Sequence, residues 1–156
     1  MTGNNLKFLR QAFAVAQRAR EQGNHPFGAI LVDANGEKIL EAENTVITDH
    51  DCVGHAETNL LREASRRFEA RVLAQCTIYA SAEPCAMCAG AIYWSGVNRL
   101  VYGLSKQRLS EIQNQQIYWQ LALPCREVFA RGQREISVEG PALEAEAEIV
   151  HKDYWK

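Results

Sequence analysis

His55-Ala56-Glu57 and, further along, Pro84-Cys85-Ala86-Met87-Cys88 supply one imidazole, two thiols and a spare carboxylate from two short segments. A structural zinc site closes its coordination with four protein ligands, whereas a catalytic site keeps three and leaves the fourth position open. The local ligand set here is three: His55, Cys85 and Cys88. Any fold that uses them together must bring two distant segments to one point. This pattern is the outline of a catalytic zinc site.

The spacing makes sense when both segments open helices. Cys85 and Cys88 are i and i+3, so their sulfurs share a helical face. Pro84 is expected at the first helical position, where proline's missing N–H costs nothing. His55 and Glu57 are i and i+2 and would point apart in mid-helix, so both reach one ion only from a first turn, with Gly54 suiting the entry. Two helix N-termini would then aim positive dipole ends at the site and lower the thiol pKa values of Cys85 and Cys88. Glu57 is the spare group. A carboxylate beside a zinc-activated water takes its proton and later delivers it, which is hydrolytic chemistry.

These residues, with Pro26-Phe27-Gly28-Ala29 before one strand, Asn44 after the next and Ala82-Glu83 ahead of Pro84, resemble the zinc-dependent cytidine and deoxycytidylate deaminase superfamily. The signature of that group is H-x-E followed by P-C-x-x-C. The resemblance spans residues 6 to 103. It implies a three-layer α/β/α sandwich with a five-stranded mixed sheet, one Zn2+ per chain on His55, Cys85 and Cys88, Glu57 as proton shuttle, and a homodimer. The segments His25 to Ala29, Ile92-Tyr93-Trp94 and Tyr154-Trp155 are most similar to the bacterial and plant guanine deaminases. That likeness implies conversion of guanine to xanthine and ammonia, with Asn44, Phe27, His25, Ala56, Trp94 and Tyr154 as candidate base contacts. Read without it, Asn44 is a turn former, His25 a loop residue, and Tyr93 and Trp94 are core or subunit interface. Cys52 and His55 form a C-x-x-H pair, but Cys52 would precede the helix that presents His55 and is not expected to be a ligand.

At 156 residues and 47% hydrophobic, the chain suits one globular domain, 1–156, with a single sizeable core. Strand and helix patterns alternate. Helices are expected over Leu6–Glu21, His55–Phe68, Cys85–Trp94, Leu104–Leu121 and Ala142–Trp155, and strands over Phe27–Val32, Ile39–Asn44, Thr77–Ala80, Arg99–Tyr102 and Arg134–Val138. Asp33-Ala34-Asn35-Gly36 is a hairpin turn signal. Such alternation implies a sheet covered on both faces. No apolar run nears the roughly 20 residues of a membrane span, and Met1 to Asn5 lacks a signal pattern, so a cytoplasmic protein is expected. Cys52, Cys76 and Cys125 are then simply unpaired thiols.

Members of the superfamily deaminate cytosine, cytidines, guanine or tRNA adenosine with one metal site, and the pocket decides among them. Those that act on RNA need a positive surface for phosphates. The formal net charge here is -2, and the chain ends in Glu139, Glu144, Glu146, Glu148 and Asp153 against Lys152 and Lys156. Arg62, Arg66, Arg67 and Arg71 are the solvated face of one helix. A small free base is therefore expected, and nucleic acid is not. Guanine deaminases carry a further carboxylate after the strand at Val101-Tyr102-Gly103, where Gln113 or Asn114 stands in this chain. Glu111 is the nearest acid and the expected second proton shuttle if the alignment slips by two or three residues. Otherwise the substrate is cytosine or another aminated ring, such as a pterin, a triazine or a modified base, with tRNA adenosine the remaining alternative. A noncatalytic zinc-stabilised subunit is the other class, and the intact Glu57 argues against it.

Overall fold

Helix α1, Gly3–Glu21, begins where Thr2 accepts a hydrogen bond from the Asn5 N–H at 3.2 Å, three residues before the expected start. Its buried residues Asn5, Phe8, Leu9, Ala12, Val15, Ala16 and Ala19 recur at helical spacing and form one apolar stripe. The computed structural model describes residues 1–113 and 119–156. After α1 come strands β1, Gly28–Val32, and β2, Lys38–Glu43, joined by a turn in which Asp33 Oδ1 accepts from the N–H groups of Asn35 and Glu37. Then follow α2, Ala56–Arg67; α3, Ala70–Leu73; β3, Thr77–Ala82; α4, Ala86–Ser95; and β4, Arg99–Leu104. The rest of the chain carries α5, Lys106–Ile112; α6, Cys125–Ala130; β5, Ser137–Glu139; α7, Glu144–Ala147; and a 3-10 turn, Ile149–His151.

The sheet order is β2-β1-β3-β4-β5. Strand β1 is antiparallel to β2 and β3, while β3, β4 and β5 run parallel, so the five-stranded sheet is mixed as expected. Successive side chains of a strand face opposite sides of a sheet, and the core divides accordingly. Ile30, Val32, Tyr79 and Val101 pack with Phe8, Leu9, Ala12 and Val15 of α1 on one face. Ala29, Leu31, Ile78, Ala80, Leu100 and Tyr102 pack with α2, α4 and α6 on the other. These are the three layers. At Gly28 α1 lies directly against the sheet: a Cβ there would lie 2.5 Å from Ala16 N and 2.8 Å from Ala12 O.

Three expected elements differ. The reading of Leu104–Leu121 as one helix gives way to β4 running through Leu104, with Ser105 capping the short α5 by accepting from Arg108 N. The part of that reading over 114–118, including Asn114, lies outside the described residues. The expected strand Arg134–Val138 shrinks to Ser137–Glu139, because Arg134 turns away to donate to the carbonyls of Ile92 and Val97 at the end of α4. The expected terminal helix Ala142–Trp155 is only one turn of α7 and the 3-10 turn. Leu143 and Asp153 take positive φ values of 53° and 60°, which bend the tail back toward α1. Arg20 on α1 holds it there, donating to the carbonyls of Val150 and Lys152 at 2.8 and 2.6 Å. Among the described residues no helix is long and apolar enough to cross a membrane.

Candidate metal centre

His55 is the N-cap residue of α2 and Cys85 that of α4, both with extended backbone and neither using its side chain as a cap. Their side chains are therefore free to point past the helix ends. Pro84, expected at the first helical position, instead precedes the cap, because Cys85 takes the extended conformation and α4 begins at Ala86. The loop before α2 is locked. Asn24 Oδ1 accepts from the N–H groups of Ile47 and Thr48, and Asn59 Nδ2 donates to Glu43 O and Thr45 Oγ1. Gly54 sits so tightly that a Cβ would lie 2.8 Å from Thr45 Oγ1.

Nδ1 of His55 lies 3.6 Å from Sγ of Cys85 and 3.5 Å from Sγ of Cys88, and all three ligand atoms fall within 4.8 Å of one another. Zn–S bonds of about 2.3 Å and Zn–N of about 2.0–2.1 Å at a tetrahedral angle give an S···N edge of about 3.6 Å. The residues therefore fit zinc in both donor chemistry and spacing, with three corners supplied by protein. Hydrogen bonding from Cys88, and then His55, holds the Cys85 thiol down at about 4 against the opposing effect of burial. The same pairing and burial push the Cys88 thiol far up, and the pairing with Cys85 raises His55. Zinc binds thiolates, so loading the site must release whatever protons the two sulfurs hold.

Glu57, in the first turn of α2, is 7% exposed. Burial first, and the charge of Cys85 second, push its carboxyl up to about 7. Beside it opens a cavity of about 540 Å³. Its lining includes His25, Phe27 and Asn44, Lys106, Leu109 and Gln113 with Trp119 to Leu121, and Trp155 from the tail. Asn44 is 2% exposed, and its Oδ1 accepts from Val46 N at 3.0 Å, which leaves the amide nitrogen as the end available for a ligand.

The candidate contacts are not all brought to this cavity. His25 and Phe27 line it, whereas Tyr154 stands behind His25, its hydroxyl 2.8 Å from His25 Nδ1. Trp155, the neighbour of Tyr154, is the lining residue, stacked on His25 at 5.4 Å between ring centroids. Ala56 is fully buried in the core under α2 and is not a lining residue. Trp94 is 84% exposed on α4, edge-on to Tyr93, because Ile92 is the residue of that turn facing the core. Glu111 also stays outside: its half-exposed carboxylate pairs with Arg108 at 3.0 Å, and Arg108 is in turn held by Glu148. Sequence reasoning gave no role to Lys106, Leu109 or Glu83, which line the cavity. The only available signal was their position just after strands that end at the metal site. Cys52 lines the cavity too, but is not one of the three clustered ligand residues.

Residues 2–104 match the family described as the cytidine and deoxycytidylate deaminase zinc-binding region. Over 156 residues the chain is 41% identical to a probable cytosine deaminase of Schizosaccharomyces pombe, covering 99% of this chain and 94% of that protein. It is 35% identical over 127 residues to a guanine deaminase of Bacillus subtilis, covering 80% and 81% of the two chains. The fold is similar to that of a solved guanine deaminase from Nitrosomonas europaea, with a TM-score of 0.78, 23% identity, and coverage of 94% of this chain and 82% of that one.

Proposed function

This chain belongs to the cytidine and deoxycytidylate deaminase zinc-binding family, and from that premise we propose that it hydrolyses the amino group from a small free heterocyclic base, with cytosine the first candidate and guanine the second. The observation that carries the reading is the cavity beside Glu57. Its walls are flat rings, Phe27, His25 and Trp155, and its polar groups include the uncharged amides Asn44, Gln113 and Gln120. Such a space suits a planar ring held by a few directional contacts.

Zinc held by His55, Cys85 and Cys88 would activate a water as the nucleophile. The chain's own residues do the rest. Glu57 takes one proton from the attacking water and passes it to the ring nitrogen next to the amino-bearing carbon, then takes the second from the newly added hydroxyl and passes it to the departing amine. Water and aminated base thus become the oxo base and ammonia. Asn44 donates its amide N–H to the ring edge, while Phe27 and Trp155 exclude bulk water.

Cytosine ranks before guanine because the second acid implied by likeness to guanine deaminases is not brought to the cavity. Gln113 lines the wall and cannot carry a proton, Glu111 is paired outside, and Glu83 is engaged by two backbone N–H groups. The relative that matches almost the whole chain, a probable cytosine deaminase, supports the same order. Guanine is kept as the second reading by the similarity to the Bacillus subtilis guanine deaminase. A homodimer belongs to this reading as well, supported by the exposed Trp94 on α4.

Ammonia release from cytosine, guanine, cytidine, adenine and a pterin, with and without a chelator, tests the proposal. Turnover of a free base that the chelator abolishes is expected. Release from cytidine alone, or from none of these compounds, would reject it.

A further inference from the structure

Glu83 lies two residues before the metal ligand Cys85, and its carboxylate is spent on two distant backbone groups. Oε1 accepts from Lys106 N at 3.1 Å and Oε2 from Cys125 N at 3.0 Å. These are the first residues of α5 and α6. A helix start leaves N–H groups without intrahelical partners. Ser105 satisfies one of them in α5, on Arg108, but the cap residue of α6 is Pro124, whose side chain offers no acceptor. Glu83 supplies what Pro124 cannot, and it binds both helices with a charge-assisted bond at their positive ends.

Helix α5 supplies lining residues of the cavity wall directly, and α6 follows the lining segment Trp119 to Leu121 without lining it itself. Lys106, Leu109 and Gln113 belong to α5 and its end, and Trp119 to Leu121 lead toward α6. We propose that Glu83 is the positioning residue for this wall: it references the substrate-facing segment to the turn that carries Cys85, so that the gap between the zinc and the wall is set by one side chain. The wall's part in holding a base rests on the functional reading above.

The test uses full-length zinc-loaded protein with cytosine as the probe. In Glu83→Gln one of the two acceptors becomes an NH2 group facing a backbone N–H. Zinc content should stay at that of the unaltered protein. KM should rise about tenfold with kcat within about threefold, the pattern of lost binding in ground and transition state alike. Amide exchange should quicken in Lys106–Ile112 and Cys125–Ala130 and stay unchanged in α1. Lys106→Pro, compared with Lys106→Ala, isolates one bond. Both lose the side chain, but only proline loses the N–H, at a first helical position that tolerates it and after a Ser105 whose φ of -70° and ψ of 153° suit a residue before proline. The proline variant should show the faster exchange and the higher KM. Unchanged exchange and KM in Glu83→Gln, or identical behaviour of the two Lys106 variants, would overturn the proposal. If Glu83→Gln does not fold, the Lys106 pair decides. If the unaltered protein ignores cytosine, the substrate reading fails and the exchange measurements alone decide the role of Glu83.

Discussion

Trp155 donates its indole Nε1–H to Nδ1 of His151 at 2.9 Å. His151 is 2% exposed, and among the described residues its Nε2 has no hydrogen-bond partner. With Nδ1 accepting, Nε2 carries the single proton of a neutral ring. Burial first, and Arg20 second, hold its pKa down to about 4 against 6.5 for an ordinary histidine, with Glu148 pulling the other way. The unfolded chain therefore takes up a proton that the folded chain refuses. The contribution to stability is fully present above pH about 6.5 and is lost as pH falls toward about 4, to a total on the order of 3 kcal/mol. Melting temperatures of the unaltered protein and His151→Phe should converge or cross as pH falls through this window. The phenylalanine variant also removes the acceptor that the Trp155 indole N–H uses on His151, but that cost does not change with pH. Curves that stay parallel would show that His151 does not titrate between the two states.

The zinc ligands predict a simple loss. Cys85→Ala removes one of the two sulfurs and leaves two ligands of three. Metal analysis should then find the protein without bound zinc, and turnover should vanish with it. Stoichiometric zinc in this variant would reject the ligand set.

Glu57→Gln separates binding from chemistry. The amide keeps the shape of the carboxyl but cannot carry a proton, and Glu57 is not one of the three clustered ligand residues. Zinc should therefore bind normally, while turnover falls by about 10²- to 10⁴-fold, the usual worth of a positioned acid and base. Activity near that of the unaltered protein would remove Glu57 from the mechanism.

The metal trio was legible in the sequence because its chemistry demands particular residue types at short spacing, as was the alternation of strand and helix. What the sequence left open depends on the phase and end of each element. Tyr154 and Trp155 are neighbours of similar character, and only the bend at Asp153 decides that Trp155 lines the cavity while Tyr154 backs His25. Trp94 differs from the buried Ile92 by two helical positions, which is enough to turn it to solvent. Glu83 has its partners 23 and 42 residues away, at helix starts that carry no local mark of the connection.

Glu111 and Gln113, two residues apart, differ in whether they reach the cavity. Glu111 is engaged by Arg108 on the outer side of α5, while Gln113 lines the cavity and accepts from Gln120 Nε2 at 2.9 Å. A neutral amide at that point can hold a ring edge but cannot shuttle a proton. Glu111→Gln should accordingly leave kcat/KM for the preferred base within about twofold, since an exposed ion pair contributes only about 0–1 kcal/mol. Gln113→Glu puts a second carboxylate at one of the two positions, Gln113 or Asn114, where the guanine deaminase likeness implies one, so it should lower turnover of cytosine and raise that of guanine relative to it. A loss of about a hundredfold or more in Glu111→Gln would mean that this acid reaches the substrate during turnover, at the scale expected of a proton carrier. In that event the preference for cytosine over guanine would reverse.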